Sequence, residues 1–187
     1  MHVTIVPSTT LLQATPSWRW PDEAACSDSA LALARTLRPA LQQGASVIIE
    51  LRGTLGAGKT TFTRHLLRAL GVSGRIKSPS YAVVEPHQSG DIAIWHFDFY
   101  RFNDPAEWED AGFRDLFASA GLKLVEWPDQ AGELLPPADI CIDIQPESGD
   151  IRAVSCHSES AAGQAWLNAW AHDAQVSARS PAPTRTP

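Results

Sequence analysis

Gly53-Thr54-Leu55-Gly56-Ala57-Gly58-Lys59-Thr60 is a full match to GxxxxGK[ST], the pattern of a glycine-rich loop that leads from a strand into a helix. The pattern describes a physical device, a set of backbone N–H groups converging on a polyphosphate at a helix N-terminus. Gly53, Leu55, Gly56, Ala57 and Gly58 would form that cradle, and Lys59 is expected to pair with the β- and γ-phosphates. The Thr60 hydroxyl is expected to occupy one place in a Mg²⁺ shell, while Thr61 caps the helix or contacts the α-phosphate. The flanks agree with this reading. Val47-Ile48-Ile49-Glu50-Leu51 is a largely β-branched run of strand length, and Phe62, Leu66, Leu67 and Leu70 recur at helical spacing until Gly71. Only three lysines occur in the chain, so one of them at this position is informative.

Upstream, Ser27, Asp28 and Ser29 offer N-caps for a helix whose apolar positions are Leu31, Leu33, Ala34, Leu37 and Leu41. Residues 1–24, with Pro7, Pro16 and Pro21, read as a loosely ordered leader carrying an edge strand around Val3 to Val6. Downstream, strands are expected near Tyr81 to Glu85 and Ile92 to Phe97, joined as a hairpin by a turn at Gln88 to Asp91. A helix should start near Asp104 and Pro105, followed by strands at Leu122 to Glu126, Asp139 to Ile144 and Ile151 to Cys156. A last helix places Trp166, Leu167 and Trp170 on one face, and residues 174–187 read as a disordered tail. The alternation of strands and helices predicts an α/β fold. Residues 25–173 would form a single P-loop NTPase-like domain, a mostly parallel central sheet with an antiparallel hairpin, flanked by helices.

Composition sets bounds on partners. With 187 residues, 44% of them hydrophobic, the chain has material for one core. A formal net charge of -6 argues against a large autonomous nucleic-acid surface, so contact with RNA would be local or through a partner. Cys26, Cys141 and Cys156 have no CxxC spacing and read as reduced, buried thiols rather than a disulfide framework or a zinc site. No signal peptide or run of 18 apolar residues is seen, and a cytoplasmic location is expected.

Hydrolysis needs an acid near the metal and a group to position water. Two apolar strands end in acids, Ile92 to Phe97 at Asp98 and Leu122 to Val125 at Glu126. In an open parallel sheet, ligands gather beyond the C-terminal strand ends, which would bring both carboxylates to the γ-phosphate. A small-molecule kinase would need an Arg-rich lid to exclude water, and the arginines between the loop and Glu126 are scattered. A GTPase would need an Asn-Lys-x-Asp segment, which the chain lacks. A nucleotide-sensing module without turnover differs from an ATPase only in whether Asp98 supports chemistry.

The segments Gly53 to Thr60, Ser78-Pro-Ser-Tyr81, His96-Phe-Asp-Phe-Tyr-Arg101 and Leu124-Val-Glu-Trp-Pro128 together resemble the bacterial TsaE family, in order and spacing, over residues 22–156. The resemblance implies an ATPase subunit required for threonylcarbamoyladenosine in tRNA, weak alone and dependent on partners. Those partners would be the threonylcarbamoyl transferase subunit and its inactive paralogue, with tRNA reached through the complex. It further implies ATP and Mg²⁺ as cofactors, Thr60 and Glu126 as metal ligands, Lys59 and Asp98 as catalytic groups, and Ser78 to Tyr81 as a switch-like segment. Asp98 would orient or deprotonate the attacking water, or hold the metal through water. The chain departs from the family at Thr54, where Asp is usual, and at Gly149-Asp150, where Gly-Arg is common near the adenine.

Overall fold

The computed structural model describes residues 15–79, 82–102, 108 and 111–179. The strand expected at Val3 to Val6, the helix expected at Asp104, Ser80, Tyr81 and residues 180–187 lie outside that set. Seven strands form one sheet: β1 (Ser17–Trp20), β2 (Ser46–Arg52), β3 (Val84–Ser89), β4 (Ile92–Asp98), β5 (Gly121–Glu126), β6 (Ile140–Pro146) and β7 (Arg152–His157). Their spatial order is β1-β7-β6-β2-β5-β4-β3. Strand β2 pairs in parallel with β5 and β6, and β5 with β4, so four adjacent strands run parallel at the centre. Burial on both faces explains why these strands read as continuous apolar runs; every residue of β5 is buried.

The outer strands are antiparallel. Strands β3 and β4 form the expected hairpin across Gly90 and Asp91. Strand β7 returns antiparallel to β6, because the link between Pro146 and Arg152 is far too short for a parallel crossover. Strand β1 then adds to β7 inside the stretch read as a leader. Alternation explains it, since Trp20 turns inward, is 2% exposed and stacks on Phe62 at 5.2 Å. The two sheet edges are therefore β1, four residues long, and β3, which carries Pro86.

Four helices are described: α1 (Glu23–Gln42), α2 (Lys59–Ala69), α3 (Phe113–Ala118) and α4 (Ala161–Arg179). Helix α1 begins earlier than expected, because Asp22 rather than Ser27 to Ser29 caps it, accepting from the Ala25 N–H at 2.9 Å. Cys26, Ala30, Leu33, Leu37 and Leu41 lie on the buried stripe, whereas Leu31 faces outward at 39% exposure. Helix α4 extends to Arg179, into the stretch read as tail. Helices α1, α2 and α4 cover one sheet face, packing Leu37, Phe62, Leu66 and Trp170 against Val47, Ile49, Leu51 and Leu124. The other face carries an aromatic cluster in which Phe97 meets Phe99, Phe113 and Phe117 at 5.7, 5.4 and 4.8 Å.

One buried cation ties α3 to the sheet. Lys123 is 0% exposed; its Nζ donates to Ser46 Oγ at 2.9 Å and to the Ser119 carbonyl at the end of α3. Burial pulls its pKa down to about 8, against a smaller opposing pull from Asp139. Between that value and the ordinary lysine range the unfolded chain binds a proton that the folded chain does not, so stability rises with pH. Between about pH 7.5 and 9 the gain is about 1 kcal/mol. Above that range the buried thiols, whose pKa values are raised by burial, work in the opposite direction. Urea unfolding of wild type and Lys123→Met at the two pH values checks this. From pH 7.5 to 9 the stability of wild type relative to Lys123→Met should rise by about 1 kcal/mol, and a pH-independent difference contradicts the assignment.

Candidate functional site

The glycine loop leaves the C-terminal end of β2 and enters α2 at Lys59. Gly58 caps the helix in the left-handed region, at φ 110°, and no side chain caps it. The N–H groups of the first turn therefore face the cleft, with the positive end of the helix dipole behind them. Arg152 on β7 braces the loop from outside, its Nε donating to the Ala57 carbonyl at 2.9 Å. Lys59 Nζ donates to the carbonyls of Gly53 and Thr54 at 2.7 and 2.9 Å and stands 3.8 Å from the centroid of the Trp127 ring. Burial lowers its pKa, while Glu126 and Asp98 pull the other way.

Asp98 and Glu126 are register partners at the ends of β4 and β5. Strand alternation puts both on the α2 side of the sheet, since Ile94 and Leu124 two or more residues earlier lie in the core beneath the helices. Glu126, 2% exposed, accepts from Thr60 Oγ1 at 2.8 Å through Oε2, and its Oε1 lies 2.8 Å from His96 Nε2. Asp98 accepts from Ser78 Oγ at 2.7 Å through Oδ2 and from the Tyr100 N–H at 3.1 Å through Oδ1. Trp127 follows in the left-handed region at φ 58°, uncommon for a bulky residue, with its ring 4.9 Å from Tyr100.

These groups converge on a cleft of about 220 Å³ lined by Leu55 to Thr61, Ser78, Asp98, Tyr100, Glu126 and Trp127. Gly53 does not line the cleft; the position a Cβ would take there lies 2.3 Å from the Ile144 carbonyl oxygen. The hydroxyl of Thr60 and the carboxylates of Glu126 and Asp98 are hard oxygen donors, a set that suits Mg²⁺. Beyond Ala57, Gly58 and Thr61 lies a second cavity of about 310 Å³, walled by Trp20, Asp22, Glu23, Cys26, Asp150 and Arg152.

Sequence reasoning gave His96 no role of its own. The signal was available: His96 stands two residues before Asp98, so alternation puts it on the site face, and its register partner Leu124 stands two before Glu126. His96 is fully buried, and among the described residues its Nδ1 has no hydrogen-bond partner. Trp20, Asp22 and Glu23 in the wall of the second cavity were missed because the stretch that supplies them was read as leader, whereas the resemblance points to Gly149-Asp150 for the adenine.

A family model described as "Threonylcarbamoyl adenosine biosynthesis protein TsaE" matches residues 22–154. The chain belongs to the TsaE family. The TsaE match begins at Asp22, the cap of α1, and ends at Val154 in β7, so it spans the loop and both carboxylates. The chain is 43% identical over 99 residues to the Haemophilus influenzae protein named tRNA threonylcarbamoyladenosine biosynthesis protein TsaE, a stretch covering 53% of this chain and 63% of that one. A Bacillus subtilis protein of the same name is 35% identical over 108 residues, covering 58% and 67% of the two chains. One from Rickettsia prowazekii is 32% identical over 114 residues, covering 60% and 78%. The crystal structure of Bacillus subtilis YdiB superposes with a TM-score of 0.66 at 23% identity, covering 84% of this chain and 95% of that one, a likeness of fold. Among the described residues of this TsaE chain no helix is long and apolar enough to cross a membrane.

Proposed function

We propose that the chain is the Mg²⁺-dependent ATPase of tRNA threonylcarbamoyladenosine biosynthesis, acting through a complex with the threonylcarbamoyl transferase subunit and its inactive paralogue. The observation that carries the reading is the 2.8 Å contact between Thr60 and Glu126 inside a cleft shared with the glycine loop and Asp98. A P-loop hydroxyl touching a strand-end acid is the arrangement that holds a metal at a nucleoside triphosphate. The relatives' names support the pathway, and the net charge of -6 supports access to tRNA through partners.

On this reading the first-turn N–H groups of α2 and the Lys59 ammonium bind the phosphates and stabilise charge developing on them in the transition state. Lys59 exchanges the Gly53 and Thr54 carbonyls for phosphate oxygens as it does so. Thr60 and Glu126 would hold a Mg²⁺ ion, whose charge would offset part of the negative charge on the phosphates. His96 fixes the Glu126 carboxylate from behind, as an outer partner that orients a metal ligand. Asp98, positioned by Ser78 and the Tyr100 N–H, would orient the attacking water, accept its proton or hold the metal through water. The base and ribose occupy the second cavity, where Trp20 offers an aromatic wall and Asp22, Glu23 and Arg152 offer polar groups.

Steady-state hydrolysis of ATP with Mg²⁺, measured on the chain alone and with the transferase subunits and tRNA, tests the reading. A slow rate that rises with the partners is expected. A rate indifferent to them, or hydrolysis only when a phosphate acceptor is supplied, overturns it.

A further inference from the structure

The face of the sheet opposite α2 carries a cluster that the nucleotide chemistry does not use. Cys141 on β6 and His157 on β7 are direct cross-strand partners, so their side chains rise from the same face of the sheet. Glu159, two residues beyond His157, continues that row. The Cys141 sulfur, an imidazole nitrogen of His157 and a carboxylate oxygen of Glu159 all lie within 4.8 Å of one another.

Two further carboxylates stand beside the cluster, one of them, Glu50, already paired with Arg52 at 2.7 Å. The Cys141 thiol donates to Glu50 Oε2 at 3.8 Å, and Asp143 Oδ2 lies 3.9 Å from His157 Nδ1. Carboxylates therefore approach the thiol and the imidazole from neighbouring positions on the sheet. Asp143 can orient the ring as an outer partner or fill a further position on an ion. Access comes from one side, because Cys141 is fully buried whereas the His157 side chain is 44% exposed and Glu159 is exposed. An ion would sit at that boundary, with the sulfur beneath it and solvent above.

We propose that Cys141, His157 and Glu159 form a second cation site, on the sheet face away from the nucleotide cleft, that takes Zn²⁺. Donor chemistry selects the ion. A thiolate, an imidazole and a carboxylate match Zn²⁺ and leave a fourth position for water or Asp143, whereas Mg²⁺ prefers oxygen ligands alone. Ordinary Zn–S and Zn–N lengths in a tetrahedron put ligand atoms about 3.5 Å apart. The cluster reaches that spacing by rotation of its two exposed side chains about a fixed sulfur. Binding forms the metal–sulfur bond and releases the thiol proton to solvent, so affinity rises with pH. Spacing in the sequence could not disclose the site, since its ligands come from two strands joined only by the sheet register.

The test uses the full chain with Mg²⁺ in excess to occupy oxygen-only sites, and Co²⁺ as a spectroscopic stand-in for Zn²⁺. One equivalent of Co²⁺ should develop a thiolate-to-metal charge-transfer band that Zn²⁺ removes by displacement. Cys141→Ser should abolish the band, and His157→Ala, a change at a half-exposed side chain that leaves the core intact, should weaken Co²⁺ binding about tenfold or more. Absence of the band in wild type overturns the proposal, as does a band of unchanged affinity in His157→Ala. If Cys141→Ser fails to fold, the His157 variant still decides the matter.

Discussion

Asp98→Asn is expected to slow ATP hydrolysis on the order of a hundredfold or more, while nucleotide affinity stays within about threefold. The amide keeps the size of the carboxylate and can still accept from the Tyr100 N–H, so the loop around it should hold its shape. It cannot accept a proton, and it carries no charge to hold or orient a polarised water. Binding should be spared because, on the proposed reading, the first turn of α2 and Lys59 hold the phosphates. Single-turnover hydrolysis alongside equilibrium binding of a labelled nucleotide separates the two quantities. A rate that recovers at high Mg²⁺ concentration would assign Asp98 to the metal; a rate low at every concentration would assign it to water. An unchanged rate removes Asp98 from the chemistry altogether.

Gly53→Ala should be the most damaging small substitution in the glycine loop, costing about 3 kcal/mol or more of folding stability. Two independent penalties coincide there. Gly53 holds φ 139°, outside the regions that side chains tolerate, and the new Cβ would meet the Ile144 carbonyl oxygen at 2.3 Å and the Ala57 Cβ at 3.1 Å. Neither obstacle is a flexible side-chain tip: one is the backbone of β6 and the other belongs to the loop itself. Relief therefore requires β2 and β6 to part where the loop begins. Urea unfolding reports the stability, and a loss below about 0.5 kcal/mol would show that this junction yields easily. Gly56→Ala offers a comparison, since nothing stands within 4 Å of the position its Cβ would take.

Much of this architecture was legible because several signals agreed at each point. At β2, the loop and α2, pattern, periodicity and glycine placement all indicate one arrangement, and the strand-end acids at Asp98 and Glu126 follow from the chemistry of parallel sheets. The losses occurred where a local signal was weak or misleading. Asp22 lost to Ser27, Asp28 and Ser29 as a cap because three hydroxyl or carboxylate side chains in a row look like a helix start, yet Ser29 is buried inside α1. Strand β1 was hidden among prolines and shows itself only through Trp18 and Trp20, whose partners Trp170 and Phe62 are distant in sequence. The Cys141 cluster depends on register between strands, a relation no single stretch of chain contains, whereas His96 was passed over although its spacing from Asp98 puts it on the site face.

The two ends of the sheet bear on how the protein behaves at high concentration. An open sheet offers unpaired N–H and C=O groups at each edge, and chains with long, regular edges tend to stack through them. Here one edge strand is only four residues long, and the other places Pro86, which has no N–H to give, in its middle. Neither border is a good template for further pairing. The chain should therefore resist edge-to-edge polymerisation even when it is concentrated.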